Sequence, residues 1–265
     1  ALPTNNVEQV DPFLLLHHAR TTPYFDRPAK VQGVGPHPHR GFSPVTFVIE
    51  GEVHHQDSRG NNQVAKAGEV QWIHAGFGII HSERPTQALV DVKGTQEIVQ
   101  LWINSPASRK MIEPEYLYMK ESDIPRVGNS KHSEIKLISG NYEGKTGAFR
   151  GQSELLILWG RMNQGSNQSF DIPEGFNASV YNIKGDLRIV GHGLVDSETM
   201  VVFEDEGASI EIEANSDAQF LVLAGKPINE PLAQYGPFVM NTQTQIMEAM
   251  RDYQMGKMGF LVEAE

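Results

Sequence analysis

Residues 35–61 read GPHPHRGFSPVTFVIEGEVHHQDSRGN, and the fold and the chemistry of the chain both start from this stretch. Its centre, PVTFVIEGEVHHQD, is rich in Val, Ile, Phe and Thr and is interrupted by one glycine, as expected of β-strands joined by tight turns. DSRGNN, which follows, supplies the turn chemistry of a hairpin tip. Side chains at i and i+2 of a strand share a face. His37 and His39 have that spacing, with Pro38 stiffening the backbone between them. Two imidazoles held side by side can share a metal ion, and they can equally form a hydrogen-bonded structural pair.

The texture of this stretch extends outward in both directions. EVQWIHA and EIVQLWIN continue it up to about residue 104, and a second section from about 134 to 224 repeats it with LLILWGRM, ASVYNI, DLRIV, MVVF, ASIEIEA and QFLVLAG. Short apolar runs punctuated by Gly, Pro, Asn and Asp predict an all-β sandwich or barrel, and two such sections predict a duplicated barrel. Alternation in ASIEIEA predicts a half-exposed strand. Between the sections, PASRKMIEPEYLYMKESDIPRVGNSKHS is polar and proline-containing and reads as an interdomain connection. Near the end, TQTQIMEAMRDYQMGKMG differs in kind. Thr242 and Gln245 form a capping box, Ile246, Met250 and Tyr253 recur at helical spacing, and Gly256 is a stop, so an amphipathic helix with its methionines packed inside is expected.

Composition removes several function classes. The 265 residues include no cysteine, which excludes disulfides, zinc–thiolate sites, iron–sulfur clusters and cysteine nucleophiles. Any metal must be held by nitrogen and oxygen. A net charge of -11, with no Lys/Arg run, argues against direct nucleic-acid binding. No segment approaches the ~18 consecutive apolar residues of a membrane span. The first twenty residues lack a basic region followed by an apolar run and do not read as a secretory signal. A cytoplasmic, monomeric protein is expected, or a nuclear one if the source is a eukaryote.

A second motif places His81 42 residues after His39. AGEVQWIHAGFGIIHSE ends in His81-Ser82-Glu83, an imidazole and a carboxylate at i and i+2. Two same-face pairs on separate strands can converge to three nitrogens and one carboxylate oxygen, a set that suits divalent Fe, Mn, Ni, Cu or Zn. A six-coordinate ion would retain two open positions. His54 and His55 face opposite sides of their strand, so only one can approach such a site. Surface or turn roles are expected of both, with His55 the better candidate for the edge of the site. His74 reads as a packed or exposed histidine, and of His17 and His18 only one can face a core.

These residues resemble the pirin family of the cupin superfamily. DPFLLLHH is similar to its N-terminal strand, HPHRGFSPVTFVIEGEVHHQDSRGN and AGEVQWIHAGFGIIHSE to its two metal motifs, and GPFVMNTQTQIMEAMRDYQMGKMG to its C-terminal signature. The resemblance implies an all-β bicupin, with two jelly-roll β-barrels packed face to face and a short C-terminal helix. Residues 1–125 would form the metal-binding cupin barrel and 126–265 a metal-free one, the helix either returning to the N-terminal domain or closing the second barrel. It also implies His37, His39, His81 and Glu83 as ligands of one divalent metal, with Fe(II) favoured over Mn, Ni, Cu or Zn. Many cupins take their carboxylate from the first motif; here RGFSPVT holds no acidic residue, and Glu83 substitutes for it. In the second barrel Asn167 and Ser169 stand where an H-x-H pair might have been.

Two functions follow from the resemblance. One is a quercetin 2,3-dioxygenase-like oxidoreductase, acting on an aromatic substrate such as a flavonol together with O2, with Glu83 as the catalytic proton acceptor. The other is a non-enzymatic, redox-sensing regulatory or transcriptional cofactor that works through protein partners. Phe42, Phe47, Trp72 and Phe77 are the aromatic residues expected near the metal strands.

Overall fold

Positive-φ glycines cut the N-terminal section into short strands, Gly41, Gly51, Gly60, Gly68 and Gly76 each marking a turn. The strands are β1 (Phe13–Thr21), β2 (Val34–His39), β3 (Phe42–Glu50), β4 (Glu52–Asp57), β5 (Asn62–Lys66), β6 (Val70–His74), β7 (Ile79–Arg84), β8 (Gln96–Asn104) and β9 (Glu115–Met119). The computed structural model describes residues 1–4, 7–128, 131–204 and 206–264. These strands form two sheets, β1-β8-β3-β6-β9 and β2-β7-β4-β5, the two walls of a barrel. The DSRGNN turn joins β4 to β5, where Asp57 accepts the backbone N–H groups of Arg59 and Asn61.

The segment read as an interdomain connection is in part a strand. EYLYM is β9, paired with β6 in the order Ile73 opposite Tyr116 and Trp72 opposite Leu117. Its half-buried tyrosines, Tyr116 and Tyr118, share one face, a pattern hidden by the prolines and charges around it.

The chain divides into two units, Leu15–Glu121 with Asn229–Glu265, and Ala1–Leu14 with Ser122–Ile228. The second unit repeats the architecture. A six-stranded sheet runs in the order 126–127, 133–139, 155–162, 218–225, 177–184, 199–202, and a four-stranded one in the order 167–171, 209–214, 187–189, 193–195. An apolar core runs through it, from Val127 and Leu137 through Leu158, Phe170, Val180, Ile212 and Phe220. Ser209–Ala214 alternates in burial as expected. The fold is therefore nearly all β, with two cupin-like domains. Among the described residues no helix is long and apolar enough to cross a membrane.

Residues 229–264 form a strap behind β2, β7 and β4. A hairpin of Ala233–Tyr235 and Phe238–Met240 leads into the helix Gln243–Gln254, whose N-terminus carries the expected reciprocal capping box between Thr242 and Gln245. Ile246 and Ala249 are the buried helix residues; with Phe238, Met240 and Met258 they pack on Ile80 of β7. The methionines divide. Met258 is buried and Met250 partly so, but Met247 and Met255 are exposed, because each lies outside the apolar stripe through Ile246 and Ala249.

Polar links fasten the strap next to each site strand. Buried Arg40, following His39, donates to Asp252 at 3.1 Å. Arg84, following Glu83, makes a two-pronged pair with Glu263, both bonds 2.8 Å. Gln56 accepts from the backbone of Ala264, and Ser58 donates to that of Met258. Lys110, 1% exposed, holds the corner: its Nζ donates to the carbonyls of Gly41 and Val239 and to Asn104 Oδ1, and burial lowers its pKa to about 8. Gly41 must be glycine, since its φ is +84° and a Cβ would collide with the Val239 carbonyl.

Asp252 is held below the ordinary carboxylate range by bonds from Lys257 and Arg40, which outweigh the opposing effect of burial. A depressed carboxyl pKa adds stability above the unfolded value of about 4, and that stability is lost as pH falls through the folded value. Asp252→Asn, which leaves buried Arg40 without its charged partner, should lower stability at pH 7 by about 1–3 kcal/mol. The difference from wild type should shrink as pH falls below about 4 and through the lower folded value, as urea unfolding at successively lower pH would report.

Candidate metal centre

The site grows out of the register of three strands. β7 lies between β2 and β4; His81 stands opposite His37 on one side and Asp57 on the other, and Glu83 stands opposite His55. Because i and i+2 share a face and cross-strand partners share it too, His37, His39, His55, Asp57, His81 and Glu83 all project into the barrel. A register shift between Val34 and His37 bends β2 just ahead of the histidines.

The imidazoles of His37, His39 and His81 converge, each offering a nitrogen within 4.8 Å of the others. His37 Nε2 and His39 Nε2 are 3.0 Å apart, and the ring centroids are separated by 4.3 to 4.8 Å. His39 and His81 are buried, whereas His37 is half-buried and is the most accessible of the three. Burial, reinforced by His37, holds the pKa of His39 well below the usual imidazole value. Burial and the rings of His39, His37 and His55 do the same to His81. Both are therefore neutral near pH 7, the form in which imidazole offers a lone pair to a metal.

The donor set fits a metal on hydrogen-bonding grounds as well. His37 Nδ1 is 2.9 Å from the Gly35 carbonyl, which can only accept, so the proton sits on Nδ1 and Nε2 carries the lone pair. Among the described residues, buried His81 Nε2 meets no hydrogen-bond partner. Such a nitrogen costs stability unless something else satisfies it.

Glu83 lies outside this group of three. Its Oε1 accepts from Thr46 Oγ1 at 3.1 Å and its Oε2 from Gln100 Nε2 at 2.8 Å. Both partners come from the facing sheet, where Thr46 on β3 is opposite Gln100 on β8. Gln100 in turn accepts from the Trp102 indole at 3.1 Å. Trp102 and Phe42 pack with centroids 4.4 Å apart and planes tilted by 38°, and each lies edge-on to His39, at 5.4 and 5.0 Å. An apolar wall thus adjoins the imidazoles.

Of the aromatics expected here, Phe42 is in place. Phe47 and Trp72 are buried on the opposite face of their sheet, because Phe47 is an odd step from Phe42 and Trp72 is opposite Val45. Phe77 is half-buried under the Arg59 guanidinium, 4.8 Å from its ring centre. Trp102, Thr46 and Gln100 were not singled out in the sequence. Only their alternation along β3 and β8 could have pointed to them.

The surface or turn role expected of His55 is overturned, while its place beside the site, for which it is the better candidate of the pair, agrees with its contact to His81. His55 is wholly buried, stacked on Tyr116 with centroids 4.1 Å apart and planes at 11°. Its Nε2 is 2.8 Å from Asp57 Oδ2 and its Nδ1 3.4 Å from His81 Nδ1. The turn is adjacent in sequence, but the pleat sends His55 inward and His54 outward to Asn62. Burial alone would raise the Asp57 pKa, but bonds from His55 and Asn61 win and hold it low. Burial, then the nearby carboxylates of Asp57 and Glu83 among others, pushes the Tyr116 phenol up. His74 bonds to Ser43, His18 bonds to Glu97, and His17 is exposed. Asn167 and Ser169 in the second unit are exposed.

Comparison with known proteins gives a consistent picture. Residues 1–103 match the family model described as pirin, and residues 157–259 the one described as the pirin C-terminal cupin domain. A Pseudomonas aeruginosa protein whose name assigns it provisionally to the quercetin 2,3-dioxygenases is 38% identical over 94% of this chain and 87% of its own length. A pirin-like protein of Solanum lycopersicum is 38% identical over 96% of this chain and 84% of its own. A crystal structure of quercetin 2,3-dioxygenase from Acinetobacter baumannii superposes with a TM-score of 0.89 at 36% identity, covering 97% of this chain and 90% of that one.

The network around Glu83 is testable without a ligand. Gln100→Leu removes one donor from Glu83 and the acceptor of the Trp102 indole, so it should cost about 1–3 kcal/mol. Trp102 fluorescence should shift with it, as equilibrium unfolding and emission spectra of the same sample would show.

Proposed function

Since the chain belongs to the pirin family of cupins, we propose that it is a metal-dependent dioxygenase that opens the heterocyclic ring of quercetin-type flavonols, with His37, His39, His81 and Glu83 as the metal ligands. The observation that carries this reading is the convergence of three imidazoles, two of them buried and neutral, beside a carboxylate on the same sheet face. The names borne by the bacterial relative and by the superposed crystal structure support the substrate class. A divalent ion, Fe(II) in this reading, supplies Lewis acidity toward the flavonol 3-hydroxyl and electron transfer toward O2 when bound.

The protein's own groups divide the remaining work. Glu83 takes the 3-hydroxyl proton, the only carboxylate in the proposed ligand set able to do so. Thr46 and Gln100 hold that carboxylate in place, so that little reorganisation is needed when the proton arrives. Half-buried Trp102, backed by wholly buried Phe42, offers an apolar wall to an aromatic ring system and keeps water from His39. In the overall reaction both atoms of O2 enter the ring-opened ester, and the carbon that bore the 3-hydroxyl leaves as carbon monoxide.

Iron-loaded protein should bleach quercetin aerobically and release carbon monoxide. Glu83→Gln should lower kcat by about 10²-fold or more. Fully metallated protein that leaves a panel of flavonols untouched would end the enzymatic reading in favour of a metal-dependent regulatory one.

A further inference from the structure

We infer that His55 and Asp57 are positioning residues behind His81, a carboxylate–imidazole relay that fixes the tautomer and orientation of that ring and thereby sets the metal affinity of the centre. The inference rests on the metal-centre reading above and adds two residues to it that are not among the proposed ligands.

The direction of the relay follows from counting donors and acceptors. Asp57 is an acceptor at every contact: Oδ1 takes the backbone N–H groups of Arg59 and Asn61, and Oδ2 takes the Asn61 amide and His55 Nε2. A proton therefore sits on His55 Nε2. With one proton per ring, His55 Nδ1 carries a lone pair, and it faces His81 Nδ1. His81 must then donate from Nδ1, which leaves the lone pair on Nε2, the buried nitrogen with no partner among the described residues. The opposite tautomer would set two lone pairs against each other and aim an N–H at the converging nitrogens of His37 and His39. His37 reaches the same arrangement by donating to the Gly35 carbonyl.

The geometry makes His55 a fixed acceptor. It is 0% exposed, its ring lies flat on Tyr116, and Asp57 is itself locked by the hairpin turn it caps. The 3.4 Å between the two Nδ1 atoms is long for a hydrogen bond, so the link orients His81 more than it binds it. Register places the three groups in this order, with Asp57 opposite His81 and His55 two residues before Asp57 on the same face. Partners of this kind behind a ligating histidine typically change metal affinity about 10–100-fold when removed.

The test uses Co(II) as the probe and four forms of the full chain: wild type, His55→Phe, His55→Gln and Asp57→Asn. Phenylalanine keeps the stack on Tyr116 but ends the relay; glutamine can still donate to Asp57 and accept from His81. Chelator competition should show Co(II) binding weakened about 10–100-fold in His55→Phe and restored to within a few-fold of wild type in His55→Gln. Asp57→Asn should fall between the two. In the Co(II) protein, the hyperfine-shifted ring N–H of His81 should exchange slowly with solvent in wild type and His55→Gln, and be lost to fast exchange in His55→Phe. Thermal unfolding of each metal-free variant separates these effects from loss of fold. Wild-type affinity in His55→Phe would overturn the relay while leaving the metal centre intact, as would a His55→Gln protein as weak as His55→Phe. A wild-type protein that binds no Co(II) would overturn the metal centre and the relay together.

Discussion

The period of two along one strand is the constraint on which the rest depends. β7 is the middle strand between β2 and β4, and its pleat sends His81 and Glu83 inward and Ile80 outward. A slip of one residue would aim Ile80 and Ser82 at His37 and press His81 and Glu83 into the apolar strap. The strap opposes that slip, since Ile80 is held among Phe238, Met240, Ile246, Ala249 and Met258. The C-terminal residues, remote in sequence from either histidine motif, thus fix the register that assembles the imidazoles. Arg40, Gln56 and Arg84 add polar links to the strap, each one residue beyond an inward-facing group.

The interior that results is unusual for a barrel core in being rich in titratable groups, and the structure keeps them compatible. Desolvation holds His39 and His81 neutral, so the converging rings do not repel one another as cations would. The two inward carboxylates are treated differently. Asp57 is saturated by the hairpin turn and His55, while Glu83 is shared between Thr46 and Gln100 on the opposite sheet. One carboxylate is thereby committed to architecture, and the other sits beside the face that the ligand motifs define.

Much of this was legible in the sequence because it depends on local spacing. The pairs His37/His39 and His81/Glu83, the DSRGNN turn and the Thr242/Gln245 capping box are all i, i+2 or i, i+3 relations that survive folding unchanged. What escaped depends on pairing between distant strands. His55 borders a turn, and its turn or surface assignment followed from that neighbourhood, but register with Glu83 and the ring of Tyr116 decide its burial. Tyr116 was hidden because β9 lies in a segment whose charges and prolines resemble a connection. Phe47 and Trp72 looked like wall residues by proximity in sequence, yet face parity turns them away and brings Trp102 in.

The central claim is that three imidazoles brought together by β2 and β7 form a site for one divalent metal ion. Elemental analysis of protein purified without chelators, wild type beside His81→Ala, tests it most directly. About one metal ion per chain in the wild type and none in the variant is the expected result. Metal absent from both, or retained equally by both, would contradict the account.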